Sequence, residues 1–297
     1  MRFKITIAVL LLALTFSICG VGIYVSLSDD SVVEEPPVDY SFKVMSFNVR
    51  TLSIDLNRNP NDDIPLRAPL IIEQINDENP DLIGCQEWTF VHEVNIAKPL
   101  EEKYGYFAVS RDGSPFGEMG AILYKKERFE LVESSNFWLS DTPEVISKGW
   151  DGGCHRICTT LILKDLKSGK NIQFSNTHLD NAGVEAREKG TKMVVDKVVK
   201  SELPAILVGD FNYNTDNYNY RYCIQNMDDA RLIAPELIMT ATYNGWDDGA
   251  ILGGKPIDHI MLSKDDFNVR NYKVLNYKSQ GLFASDHFAI VSVLEVK

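Results

Sequence analysis

The feature that most constrains this chain is a repeated punctuation: short apolar runs of strand length, each stopping at a polar side chain. Asn48 follows KVMSF, Glu87 follows LIGCQ, His178 follows IQFSNT and Asp210 follows AILVG. A sheet buries its strands but opens at one end. Polar groups that terminate several strands can therefore gather in one pocket without being buried unpaired. The runs FKVMSFNV, DLIGCQE, GAILYK, ICTTLILK, NIQFSNTHL, AILVGDF, IDHIML and AIVSVLEV predict strands. Leu66–Asn76 and Val184–Lys200, with apolar residues every three or four positions, predict packing helices. Strands with interleaved helices predict an α/β domain, and so many short strands predict two sheets rather than one.

With 297 residues, 44% of them hydrophobic and 24% charged, the chain has ordinary globular composition and room for a sizeable core. No repeat of solenoid period is present, and the only biased stretch is NYNTDNYNYRY from Asn212 to Tyr222. The simplest organisation is one domain over 41–297. The whole chain's formal net charge of -12 repels phosphate backbones, and no strong basic nucleic-acid-binding surface is evident. Nothing suggests more than a monomer. The five cysteines form no Cys-x-x-Cys pair and point to no zinc site. Cys154 and Cys158 could bridge in an oxidising compartment, or stand as separate small side chains.

Residues 5–27 carry no charge, follow Arg2 and Lys4, and precede Asp29 and Asp30. A spanning helix needs about 20 apolar residues and a signal peptide only about 7–15, so length favours an uncleaved anchor. Residues 1–28 thus read as a signal-anchor or a cleaved signal peptide, and residues 29–40, with Pro36 and Pro37, as a linker. Basic residues before the run leave the N-terminus cytoplasmic. The expected placement is membrane-anchored with the main domain extracytoplasmic, or secreted after cleavage.

Glu87, Asp210 and Asp286 are hard oxygen donors suited to Mg²⁺ or Mn²⁺, although any one of them alone is better explained by a helix cap or solvated turn. In VGDFNYN, Gly209 permits an unusual backbone turn, and Asp210 and Asn212 fall on the same side of an extended segment. They could bind a water and a phosphoryl oxygen, or close a strand as an Asx-turn. His287 can exchange protons near neutral pH if a carboxylate orients it. Its neighbour Asp286 points the other way in a strand, so Asp258 in PIDHI is the better partner in kind.

In order, the segments MSFNVR, CQEW, GEMGAILY, SNTHLD, GDFNYN, IDHIM and SDHFAI resemble the endonuclease/exonuclease/phosphatase superfamily, which has the fold of pancreatic-type deoxyribonuclease. The resemblance runs from about Phe42 to Val296 and implies a four-layer α/β sandwich, two packed sheets flanked by helices. It implies that Glu87 binds the metal with Asn48 and Asp286 beside it, and that Asn48 also supports the phosphate region. It further implies that Asp210 and Asn212 position the attacking water and the phosphoryl oxygens, that His287 pairs with Asp258, and that His178 contacts the phosphate or leaving group near Glu118. FWLSDTP and GWDGGCHRICTT resemble an exported branch of that superfamily, in which Arg156 faces the substrate phosphate. A strand-edge arginine in a surface ion pair is an equal alternative for Arg156.

The reading that follows is a divalent-metal-dependent phosphoester hydrolase driving in-line attack of water on phosphorus. A second reading is an inactive phosphate-ligand-binding or scaffolding protein of the same fold, whose signature would be a missing metal or base residue. No expected position is missing.

Overall fold

The structure, a computed structural model, describes residues 39–51, 63–238, 240–247, 254–276, 278–279 and 281–297. The expected anchor and nearly all of the linker lie outside the described residues, among which no helix is long and apolar enough to cross a membrane. Residues 39–297 form one unit by their contacts.

Twelve strands occur among the described residues: β1 (Phe42–Asn48), β2 (Leu82–Trp88), β3 (Tyr104–Ser110), β4 (Met119–Lys125), β5 (Phe129–Trp138), β6 (Ile157–Asp165), β7 (Asn171–His178), β8 (Ala205–Asp210), β9 (Met227–Asp229), β10 (Asp258–Ser263), β11 (Phe267–Val274) and β12 (Ile290–Val296). They form two six-stranded mixed sheets, ordered β11-β12-β1-β2-β4-β3 and β5-β6-β7-β8-β10-β9. The parallel pairs are β1 with β2 and β7 with β8. Helices α1 (Ile64–Glu78), α2 (Phe90–His92), α3 (Val184–Val199), α4 (Tyr218–Asn226) and α5 (Ala230–Ile233) complete the described elements, with a π turn and a 3₁₀ turn over 93–100.

Side chains that alternate along a strand give each sheet two apolar faces. In β8, Ile206 and Val208 enter the cluster that also holds Val44, Leu82, Ile122, Leu161 and Phe174, drawn from both sheets. Their neighbours Ala205 and Leu207 meet Val194, Val195 and Val198 of α3. On the other outer face, Ile64, Ala68, Ile71 and Ile75 of α1 cover Met45, Phe47, Ile83 and Cys85. Three cores therefore separate four layers, and the fold is the four-layer α/β sandwich. Each fully buried Leu, Ile or Phe contributes about 1.5–3 kcal/mol.

Polar ties cross the inner core, among them Thr159 Oγ1 of β6 donating to Gly120 O of β4 (3.1 Å). Asn176 of β7 donates from Nδ2 to Cys85 O (2.8 Å) and Ala121 O (2.9 Å) on the opposite sheet, and its Oδ1 accepts from Gln86 Nε2 (2.8 Å). Beside it Gly84 lets the sheets approach, since a Cβ there would lie 2.3 Å from Val208 Cγ2. Both ends of the Asn176 amide are thus paired, which is what a buried polar group requires, whereas Gln86 Oε1 has no hydrogen-bond partner among the described residues. Cys154 and Cys158 are free thiols.

Candidate active site

The chemistry-bearing residues arrive from the same end of both sheets. Register places His178 opposite Asp210 and Asp210 opposite Asp258, so β7, β8 and β10 present three such groups side by side. Asn48 closes β1, and Asp286 and His287 precede β12. A cavity of about 370 Å³ is lined by Glu87, Glu118, Arg156, His178, Asp210, Asn212, Asp286 and His287. Asn48 is buried beneath it, and its Nδ2 donates to Glu87 Oε1 (3.1 Å) and Asp210 Oδ2 (3.0 Å). Asn48 Oδ1 accepts from the Arg50 backbone N–H (3.0 Å), so in this geometry the amide orients two carboxylates.

Two backbone details differ from the sequence expectations. Gly209 has no positive φ; it lies in regular strand, and a Cβ there would stand 2.1 Å from Thr177 O, so the glycine serves strand approach. The left-handed residue of the segment is Asn212, at φ 53°. It therefore does not continue an extended segment from Asp210. Its Nδ2 donates to His178 Nε2 (3.0 Å) and Leu179 O (3.0 Å). Glu87 is likewise left-handed, at φ 57°, within a bulge between Cys85 and Trp88. Strict alternation would send Glu87 outward with Ile83 and Cys85. The extra residue of the bulge turns it to the pocket.

Asp258 Oδ2 lies 2.9 Å from His287 Nδ1, and Asp210 Oδ2 lies 3.7 Å from His287 Nε2. Burial works against a charged His287, but the Asp258 and Asp210 carboxylates raise its pKa to about 10. Burial pushes Asp210 up to about 7, with the His287 charge opposing and Asp258 adding. His178 behaves oppositely: burial, then the Arg156 and Arg111 guanidiniums, hold it well below the usual imidazole range. Glu87 stays below its ordinary value in spite of burial, because the Thr51 N–H (2.9 Å) and Arg50 favour its charged form. Burial raises both Glu118 and Asp286.

Arg156 is buried with Nε 3.6 Å from Asp180 Oδ2 and Nη2 3.4 Å from Asn181 Oδ1, while its Nη1 has no hydrogen-bond partner among the described residues. It is not a surface ion pair. Glu118 pairs with Arg111 at 2.6 Å. Residues not singled out from sequence also line the cavity, among them Arg50, Thr51, Arg111 and Tyr243. Arg50 was within reach, two places past Asn48 in MSFNVR; Arg111 follows a strand that the sequence pattern hides.

Two groupings bear on a metal. Among the described residues, Asp210, Asp258 and His287 bring ligand atoms within 4.8 Å of one another. Within it only His287 and Asp258 are hydrogen-bonded, at 2.9 Å, while Asp210 stands 3.7 Å from the other ring nitrogen. Glu87 Oε2 and Asp286 Oδ2 instead face one cation, the Arg50 guanidinium, at 3.7 and 3.6 Å. Two carboxylates converging on a positive charge are a donor set that fits a hard divalent ion.

The chain matches the Endonuclease/Exonuclease/phosphatase family over residues 45–287 and belongs to it. A family protein from Bacteroides thetaiotaomicron is 31% identical and superposes with a TM-score of 0.78, covering 86% of this chain and 94% of that one. A mannosyl-6-phosphatase from Bacteroides thetaiotaomicron is 30% identical, with a TM-score of 0.76 over 86% and 99% of the two chains. An uncharacterized protein of Acanthamoeba polyphaga mimivirus is 27% identical over 248 residues, 77% of this chain and 91% of its own length.

Proposed function

We propose that this chain is a divalent-metal-dependent phosphoester hydrolase that directs water in line onto phosphorus, with Mg²⁺ or Mn²⁺ held by Glu87 and Asp286. The observation that carries the reading is the pairing, in one cavity, of an unpaired buried guanidinium nitrogen on Arg156 with the Asp210 carboxylate. A buried cation with a free N–H calls for an anion, and a carboxylate whose pKa lies near neutrality can take a proton from water. Asp210 then acts as base. The His287 imidazolium, oriented by Asp258, offsets charge growing on the phosphoryl oxygens. His178 receives the Asn212 N–H at Nε2, which directs its own proton to Nδ1. The bound ion would add charge stabilisation at the phosphoryl group.

Similarity to a mannosyl-6-phosphatase supports a phosphomonoester on a small molecule, and the acidic charge disfavours polynucleotides. Phosphate release from a panel of sugar phosphates, nucleotides and lipid headgroup esters, with and without EDTA, tests this. Release that EDTA abolishes is expected. Ligand binding with no turnover under Mg²⁺ or Mn²⁺ would sink the hydrolase reading in favour of an inactive binding protein. We also propose that residues 5–27 anchor the chain with this domain outside the cytoplasm. Recovery of the full chain in the soluble cytosolic fraction would refute that.

A further inference from the structure

A second cleft, also about 370 Å³, opens beside the catalytic cavity. Phe90, Val91 and Phe116 line it, and Thr51, Arg111 and Glu118 are shared with the catalytic cavity, so the two adjoin. Phe116 is 77% exposed and Phe90 44%. Their rings meet at 88° with centroids 6.2 Å apart, forming an open corner.

The hairpin between β3 and β4 holds Phe116 outward without help from its own side chain. Asp112 Oδ1 accepts from Ser114 N (2.8 Å) and Ser110 Oγ (3.0 Å), and Ser114 Oγ accepts from Phe116 N (3.2 Å). Gly117 lies against the same carboxylate, since a Cβ there would meet Asp112 Oδ1 at 2.2 Å. The Arg111–Glu118 pair closes the base of the loop, and Trp138 Nε1 donates to Arg111 O (2.7 Å). A phenylalanine presented to water from a braced turn at the mouth of a catalytic cavity is a surface awaiting an apolar face.

We propose that the Phe90–Phe116 corner is a subsite for an uncharged sugar ring, so that the substrate is a hexose phosphate. Its ring rests there while its phosphate lies among Arg156, His178, Asp210 and His287. The inference rests on the hydrolase reading of the adjoining cavity. Three features select the occupant. The two charges on the cleft, Arg111 and Glu118, neutralise each other, which favours a neutral group. Perpendicular rings make a corner rather than a parallel slot: a flat base stacks on one face, whereas a chair-shaped ring offers C–H bonds to two walls. A guanidinium beside a carboxylate supplies both donors and acceptors to neighbouring hydroxyls.

The test compares kcat/KM for mannose 6-phosphate, adenosine 5′-monophosphate and the ringless glycerol 3-phosphate in the wild type, Phe116→Ala, Phe90→Ala/Phe116→Ala and Phe116→Tyr. In the two alanine variants the preference for mannose 6-phosphate over glycerol 3-phosphate falls about tenfold, chiefly through KM. Phe116→Tyr retains it. An unchanged preference, or a larger loss on the nucleotide than on the hexose, overturns the proposal. If the wild type hydrolyses none of the three, the hydrolase reading rests on the wider panel of phosphoesters and turnover does not read the subsite. Equilibrium binding of mannose 6-phosphate then decides the subsite: weaker binding to Phe116→Ala sustains it, and equal binding ends it.

Discussion

His178 and His287 face the same cavity and approach the same oxygen, Asp210 Oδ2, at 3.4 and 3.7 Å, yet they sit in opposite protonation states. Both are buried, and burial disfavours the charged form of each. Their neighbours decide the outcome. His287 is set between Asp258 and Asp210, which hold it charged, whereas His178 lies near Arg156 and Arg111, which hold it neutral. One wall of the cavity thus offers a fixed cation and the other a neutral ring. That division is what a site needs when one group stabilises an anion and another passes or accepts a hydrogen bond.

Removing the shared carboxylate erases the contrast most completely. Asp210→Ala is expected to lower kcat on the order of 10³-fold, and circular dichroism should show the fold retained; full activity would defeat the assignment of the base. Asp258→Asn acts on one side only. Activity should fall on the order of 10²-fold, and nuclear magnetic resonance titration should show the His287 pKa moving down from about 10 while His178 stays neutral. An unmoved His287 would mean that Asp258 does not hold its charge.

The two histidines also separate in pH. The folded pKa of His287 lies above the unfolded value of about 6.5, so its stabilisation is complete below that value and is lost as pH rises through about 10. The His178 pKa is depressed, so its contribution is present above about 6.5 and is lost as pH falls below that. Urea midpoints against pH for His287→Asn and His178→Asn should diverge from wild type in those separate windows; a common window would contradict the assignment. Gly209→Ala is the gentlest probe. Its Cβ presses on Thr177 O, separating β7 from β8 and shifting His178 relative to Asp210, while Asp258 and His287 stay paired. A cost of about 1–3 kcal/mol, read from the thermal midpoint, should accompany a smaller activity loss than either carboxylate change.

Much of the fold was legible because interior strands are apolar on both faces. Every strand read from the sequence lies inside a sheet. Those not read, β3, β5, β9 and β11, are the four sheet edges. There, FELVESSNFW and FNVRNYKV carry exposed polar side chains that break any apolar run. Leu66–Asn76 and Val184–Lys200 fall within or nearly on α1 and α3, but α4 was hidden in the Asn- and Tyr-rich stretch, whose apolar positions are few. In the site, residues at strand ends were visible as polar stops. The turn of Glu87 toward the cavity was not, because a bulge is a property of pairing rather than of one strand. Arg111 and Glu118 flank a hairpin whose first strand is an edge, so their pairing had no apolar frame to announce it.

The amide of Asn176 gives the cavity a mechanical character. Asn48 and Glu87 ride on one sheet and His178, Asp210 and Asp258 on the other, so the reactive geometry is a seam, and Asn176 is the rivet that keeps its two sides in step. A slip between the sheets of a fraction of a strand spacing would leave every ladder hydrogen bond intact and still pull Asn48 away from Asp210. Warming should therefore silence the site while both sheets remain whole.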